Sequence, residues 1–368
     1  MNPRVNVTFA FITAAVAAVI GYVSLYPFRY EPGPPHAWPA FLRSALFPPD
    51  RFDVLSNILL YLPVGFFLAA ALEGIPVWLR VISSAIFGAA LSMAIELSQV
   101  YDASRASSVW DFLANSDGAL LGSVAGASGA AFSASTFPSV MILCWLGYRG
   151  VIHWAPPLVV SPSVKTSEIF AAWLAIGLLL EQIFSARASR VVLAGLIAGV
   201  VFMRHYLTGN IWDRQEMLGG ALALALWTAI PYRWKHRARL IAMVFAVFIA
   251  VEALSPFHFS SHAARFGLLP FRSMIHASRE NLVATTFSKV FMYGTLVWLG
   301  VRTGWTLRKA TITAAVFVLV LRIAQVYIPG RSAEITDAIL VLLLAGGIHG
   351  VQALGDVAIH SAKQQSEC

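Results

Sequence analysis

The sequence predicts an all-α fold: a polytopic transmembrane helical bundle of about 12 spans in three tandem four-helix units. Three observations predict it. Hydrophobic residues make up 58% of the 368 and charged residues only 12%, against about 45–50% and about 25% in ordinary soluble domains. Apolar runs close to the ~20 residues that cross a bilayer core fill most of the chain. A set of polar residues near Gln99 returns in the same order near Gln325.

The first run, about 6–26, ends in Tyr26-Pro27-Phe28. It is long for a signal-peptide core and lacks a convincing cleavage site, so it reads as a retained span. A Pro-rich loop with Trp38 leads to the second, about 54–72, which contains Asn57, Pro63 and Gly65. The third, about 81–100, ends at Glu96 and Gln99, and the fourth, about 111–130, is rich in Gly, Ala and Ser. Pro138 shortens the fifth to about 137–150. The sixth to ninth fall at about 168–185, 190–207, 213–231 and 238–255, the last ending in Ser255-Pro256-Phe257. After a second long loop come spans at about 282–301, 308–327 and 334–353.

An even number of spans puts both termini on one side. The loops on that side are short and basic: Arg187 and Arg190; Arg233, Lys235, Arg237 and Arg239; Arg302, Arg308 and Lys309. On the other side the bases are offset by acids such as Asp50, Asp53, Asp102 and Asp111. The positive-inside rule places the termini in the cytoplasm and Glu96–Asp111 on the outer face. The net charge of +8 then belongs to loops facing anionic headgroups. No basic stripe is interleaved with exposed aromatics, so no nucleic-acid partner is expected. Cys144 and Cys368 form neither a disulfide framework nor a metal-ligand spacing, and no metal or cofactor is expected. His258 and His262 share a helical spacing without a third ligand and read as an interfacial loop. Trp38, Trp110, Trp154 and Trp212 read as an aromatic belt.

The internal repeat carries the domain organisation. Glu96–Asp111 aligns without a gap onto Arg322–Asp337: Gln99-Val100-Tyr101 on Gln325-Val326-Tyr327, Arg105 on Arg331, Asp111 on Asp337. Upstream, Leu25-Tyr26-Pro27-Phe28 matches Leu254-Ser255-Pro256-Phe257, and Ser56-Asn57-Ile58 with Tyr61 matches Ser288-Lys289-Val290 with Tyr293. A more degenerate copy lies between, with Ser167-Glu168 on Ser56-Asn57, Trp212-Asp213 on Trp110-Asp111, and Gly220-Ala221-Leu222 on Gly118-Ala119-Leu120. The units fall at 1–130, 131–235 and 236–368.

Glu96 and Gln99 share a helix face. Asp111, Asn115, Gly118 and Gly122 form one stripe at steps of four, three and four, and glycines let another helix backbone approach. Arg105 is positioned to reach a carboxylate, and Asn57 to close the ring. Acids, amides and an arginine between apolar runs are costly unless they meet. Lys289, Arg322, Gln325, Arg331 and Asp337 are the corresponding candidates in the last copy. Glu181 and Arg322 lie near span ends, where long side chains snorkel.

Asn57-Ile58-Leu59-Leu60-Tyr61-Leu62-Pro63-Val64-Gly65-Phe66, Glu96-Leu97-Ser98-Gln99, Arg105, Asp111, Asn115, Gly118 and Gly122 resemble the VanZ-like family of bacterial membrane proteins over residues 20–125. Departures are Asp117, at a position usually apolar in the family, and, in the last copy, Lys289 for Asn57, Thr295 for Pro63, Arg322 for Glu96 and Val341 for Asn115. The family's namesake is associated with low-level resistance to teicoplanin-type glycopeptide antibiotics. The resemblance implies the bacterial cytoplasmic (inner) membrane and a cell-envelope role. Three readings follow for Asn57, Glu96, Gln99, Arg105, Asp111 and Asn115: helix locking, a site for a membrane lipid or lipid-linked envelope precursor, or acid–base chemistry on a lipid-linked headgroup. Repeated units and buried charges also admit a lipid or small-molecule transporter. The expectation is a binding or accessory protein without enzyme activity, with Glu96, Asn57 and Asn115 distinguishing the first copy and the recurring Asp being architectural.

Overall fold

The computed structural model describes residues 5–33, 36–49, 51–72, 74–127, 136–154, 162–208, 214–231, 234–275 and 279–350. Asp50, Trp212, Asp213, Arg233 and Cys368 lie outside them. Among the described residues the protein is helical, without a strand. It divides into two compact units, Met1–Ala131 and Phe132–Cys368.

Unit 1 contains α1 (Val7–Leu25), a short α2 (Ala37–Arg43), α3 (Arg51–Ala71), α4 (Val77–Gln99) and α5 (Val109–Ala127). Its centre is a glycine seam between α3 and α5. A Cβ at Gly118, Gly122 or Gly126 would overlap the carbonyl oxygens of Ile58, Leu62 and Phe66 respectively, and one at Gly65 would overlap Ala119 O. Both sets of numbers rise by four together, so the two helices run parallel in register. No residue with a side chain fits this backbone-on-backbone approach. α4 returns between them antiparallel. Ser84, Gly88, Ser92 and Glu96, at steps of four, are its buried stripe, and a Cβ at Gly88 would overlap that of Ala119. Ile20, Tyr61, Val64, Ile95 and Ala119 form the apolar core. At the far end, Arg80 donates to Ala69 O at 2.8 Å and Gly126 O at 3.2 Å. One cation thus serves the negative ends of both parallel helices.

Unit 2 contains α6 (Thr136–Trp154), α7 (Pro162–Leu180), α8 (Ala186–Thr208), α9 (Arg214–Ala229), α10 (Arg237–Leu254), a short α11 (Arg272–Ile275), α12 (Arg279–Arg302), α13 (Leu307–Ala324) and α14 (Thr336–Gly350). Every residue from Ala171 to Leu180 is buried, which makes α7 its axis. α9 lies on α7 as α5 lies on α3: a Cβ at Gly219 would come within 2.9 Å of Thr166 O. Trp145 packs between Trp173 and Phe291, with ring centroids 6.2 and 5.1 Å away.

Among the described residues, five helices are long and apolar enough to cross a membrane: Val7–Leu25, Asp53–Ala71, Val77–Gln99, Asn281–Arg302 and Leu307–Tyr327. Thr166–Leu180 and Thr336–Gly350 are apolar but shorter. The protein is thus a multi-pass membrane protein. α5, expected as a span, carries Asp111, Asn115, Ser116 and Asp117 in a background of small residues, and its apolarity falls short. Asp117 is exposed. α6 is longer than Pro138 suggested, because Pro138 occupies the first turn, where its missing N–H has no intrahelical acceptor to lose.

Candidate functional site

The candidate site lies where α1 and α4 end and α3 and α5 begin. α1 stops because Tyr26 is extended, its peptide to Pro27 is cis, and Phe28 adopts φ 61°. The last carbonyls of a helix lack intrahelical donors. Two side chains supply them here. Gln99 Nε2 donates to Ser24 O at 2.9 Å. Arg105 donates to Tyr26 O from Nε at 3.0 Å and Nη2 at 2.7 Å, and to Val23 O from Nη2 at 2.9 Å. Gln99 and Arg105 therefore clamp α1. Sequence spacing pointed Arg105 at a carboxylate, but these hydrogen bonds go to main-chain oxygens, which no residue pattern announces.

The start of α5 is tied down separately. Glu96 Oε2 accepts from Ser108 N at 2.8 Å, Ser44 Oγ from Val109 N at 2.8 Å, and Ser108 Oγ from Asp111 N at 3.2 Å. These oxygens satisfy donors at the helix start, and Asp111 in the first turn adds charge of the favoured sign. Asn115, one turn on and 4% exposed, donates from Nδ2 to Ser92 Oγ at 2.9 Å. Tyr61 reaches the same place from α3, beside Ser92 and Glu96. Asn57 precedes Ile58, whose carbonyl abuts Gly118, so it lies near Asn115 along the seam. Among the described residues, Asn57 Nδ2 and Asn115 Oδ1 are buried and have no hydrogen-bond partner.

Glu96, Asp111, Asn115 and Asn57 thus gather at one end of the α3–α4–α5 interior, while Gln99 and Arg105 face α1. An unpaired buried donor or acceptor costs about 1–3 kcal/mol. Here one of each stands beside buried acidic oxygen. Such a place can hold a polar group that offers both a donor and an acceptor. Ser92 and Ser44 were missed in sequence. Ser92 was detectable, because Ser84, Gly88, Ser92 and Glu96 keep a four-residue step.

Unit 2 repeats the clamp. α10 ends at Leu254, the Ser255–Pro256 peptide is cis, and Phe257 has φ 62°. Gln325 Nε2 donates to Ala253 O at 2.7 Å. Arg331 donates to Ser255 O and Glu252 O, both at 3.0 Å. These acceptors occupy the aligned positions of Ser24, Tyr26 and Val23. The interior differs. Asp337, 1% exposed, accepts from Lys289 Nζ at 2.6 Å and Tyr293 OH at 2.6 Å, and pairs with Arg322. Arg322 also donates to Gln325 Oε1 at 2.6 Å.

Two further ion pairs are buried in unit 2. Arg149 of α6 pairs with Glu216 of α9, and Arg237 of α10 with Glu181 after α7. Neither Arg322 nor Glu181 snorkels: each is neutralised by a partner brought by another helix, and that removes the drive toward water. Glu168, aligned with Asn57, is 7% exposed and hydrogen-bonds Tyr148. No group of three or more His, Cys, Asp or Glu is placed to hold a metal among the described residues.

Residues 7–127 match the VanZ/LLP1 family model. Comparison with curated proteins and with solved structures gives no match. The matched segment begins and ends with the helices of unit 1, and Asn57, Glu96, Gln99, Arg105, Asp111 and Asn115 all lie inside it: the protein is VanZ-like, and the likeness resides in unit 1.

Proposed function

We propose that this protein is a binding or accessory component of the bacterial cell envelope. It resides in the cytoplasmic membrane with both termini in the cytoplasm, and the polar end of unit 1, on the outer face, receives the headgroup of a membrane lipid or lipid-linked envelope precursor. The observation that supports this reading is the pair of unpartnered buried atoms, Asn57 Nδ2 and Asn115 Oδ1, beside Glu96. Helix locking alone would leave neither atom without a partner, since an apolar residue would lock at less cost. Gln99 and Arg105 belong to the scaffold of this site and not to its binding surface.

The twelve longer helices, on this reading, are three copies of one four-helix unit, all placed across the membrane. The clamp made by Gln99 and Arg105, and again by Gln325 and Arg331, supports the first and last copies. The α7–α9 contact at Gly219 supports the middle one.

The test is lipid retention. The full-length protein, purified from membranes in mild detergent, should carry a specific lipid class through purification. Asn115→Leu and Glu96→Gln variants at normal membrane abundance should lose it. An unchanged lipid complement in both variants would sink the binding reading.

A further inference from the structure

We propose that the polar end of unit 1 binds a primary ammonium group, with Glu96 and Asp111 supplying its countercharge and Asn115 Oδ1 accepting one of its protons. Lys289 Nζ fills the corresponding place in unit 2. The inference rests on the proposed headgroup site and names its chemistry.

The argument runs through the two aligned interiors. In unit 2 an ammonium, Lys289 Nζ, sits 2.6 Å from Asp337 Oδ1, and Tyr293 OH donates to the same carboxylate. The aligned positions in unit 1 are Asn57 for Lys289, Tyr61 for Tyr293 and Asp111 for Asp337. The tyrosine and the aspartate are kept, and the lysine is absent. Its shortened replacement, Asn57, leaves a buried donor unpaired, and Asn115, where unit 2 has Val341, leaves a buried acceptor unpaired. The remaining exchange points the same way. Arg322, which pairs with Asp337, is replaced by Glu96. Unit 1 therefore sets two carboxylates where unit 2 sets one carboxylate with two cations. An ammonium has three donors and no acceptor, which suits Asn115 Oδ1 and acidic oxygens. Asn57 Nδ2 requires an acceptor on the same ligand, and a phosphate or hydroxyl oxygen a few atoms from the nitrogen meets it. Phosphoethanolamine-type groups have this form. Phosphocholine has the phosphate but no N–H.

The test measures affinity of the full-length protein in detergent for dioctanoyl phosphatidylethanolamine, dioctanoyl phosphatidylcholine and water-soluble O-phosphoethanolamine. Phosphatidylethanolamine is expected to bind at least about tenfold tighter than phosphatidylcholine, in keeping with hydrogen bonds to charged groups. Asn57→Lys, which supplies a tethered ammonium, should abolish that preference with the thermal midpoint kept or raised. Glu96→Gln should reduce it, and carries the test if Asn57→Lys fails to fold. Equal binding of the two lipids, or a preference that survives both substitutions, overturns the ammonium inference. If both lipids bind equally and Asn115→Leu weakens both, the headgroup reading stands without it. If O-phosphoethanolamine binds as tightly as its lipid, the ammonium site stands and the lipid reading falls.

Discussion

The polar ends of units 1 and 2 share a frame and differ in content. Both end an apolar helix with a Pro bend and a left-handed Phe, and both plug its carbonyls with a Gln and an Arg. Inside that frame unit 2 closes an ion network around Asp337, in which Lys289, Arg322 and Tyr293 all converge on one carboxylate. Unit 1 instead has two acids and two amides, with an amide donor and an amide acceptor left over. The frame is what the architecture needs, because it recurs with different interiors. The interior is where the two have diverged, one toward self-sufficiency and the other toward something from outside.

The comparison can be broken first at the seam. Gly122→Leu should cost more than about 4 kcal/mol, because its side chain meets the α3 backbone at Leu62. It should abolish membrane accumulation. Gly346→Ala in unit 2, whose Cβ would meet nothing within 4 Å, should be neutral or stabilising by up to about 1 kcal/mol. Next, Asp337→Ala strands Lys289 and Arg322 and should cost about 3–5 kcal/mol. Labelling of the buried Cys144 thiol, in a Cys368→Ser background, would report it as faster opening of unit 2. Asp111→Ala removes a first-turn charge and should cost only about 1 kcal/mol in thermal unfolding. Equal losses for the two aspartates would mean that unit 1 too is a closed network. Arg105→Met and Arg331→Met should each cost about 2–3 kcal/mol and agree within about 1 kcal/mol. A wide gap would show that the clamps are not equivalent. Smallest of all, Ser108→Ala should cost about 1 kcal/mol through the lost cap of α5.

Sequence reasoning reached the all-helical class through composition, and the close α3–α5 approach through the glycine stripe of α5. It aligned Gln99 with Gln325 and Arg105 with Arg331 but misjudged what they hold. The acceptors are carbonyls, and every residue type has one, so spacing says nothing about them. Arg80 escaped notice for the same reason. The Arg149–Glu216 pair was invisible because its members are 67 positions apart and neither belongs to a repeated motif. Glu96 and Asn115 were legible because buried acids and amides are rare between apolar runs. Their partners Ser108 and Ser92 were not, since serine is common on packed helix faces.

The seam of α3 and α5 has one more consequence. At Gly118 the two backbones already touch, and the contact continues through Gly122 to Gly126. From Asp111 to Gly118 the rise is only about 10 Å, at about 1.5 Å per residue. A polar group entering from the outer face stops at that floor, and no acyl chain threads beneath it. Hydrocarbon has to remain on the flank of α5, where Leu113, Leu120, Leu121 and Val124 are exposed. Between α3 and α5, unit 1 is a shallow receptacle closed at its base, able to hold a headgroup in one leaflet and offering it no passage to the other.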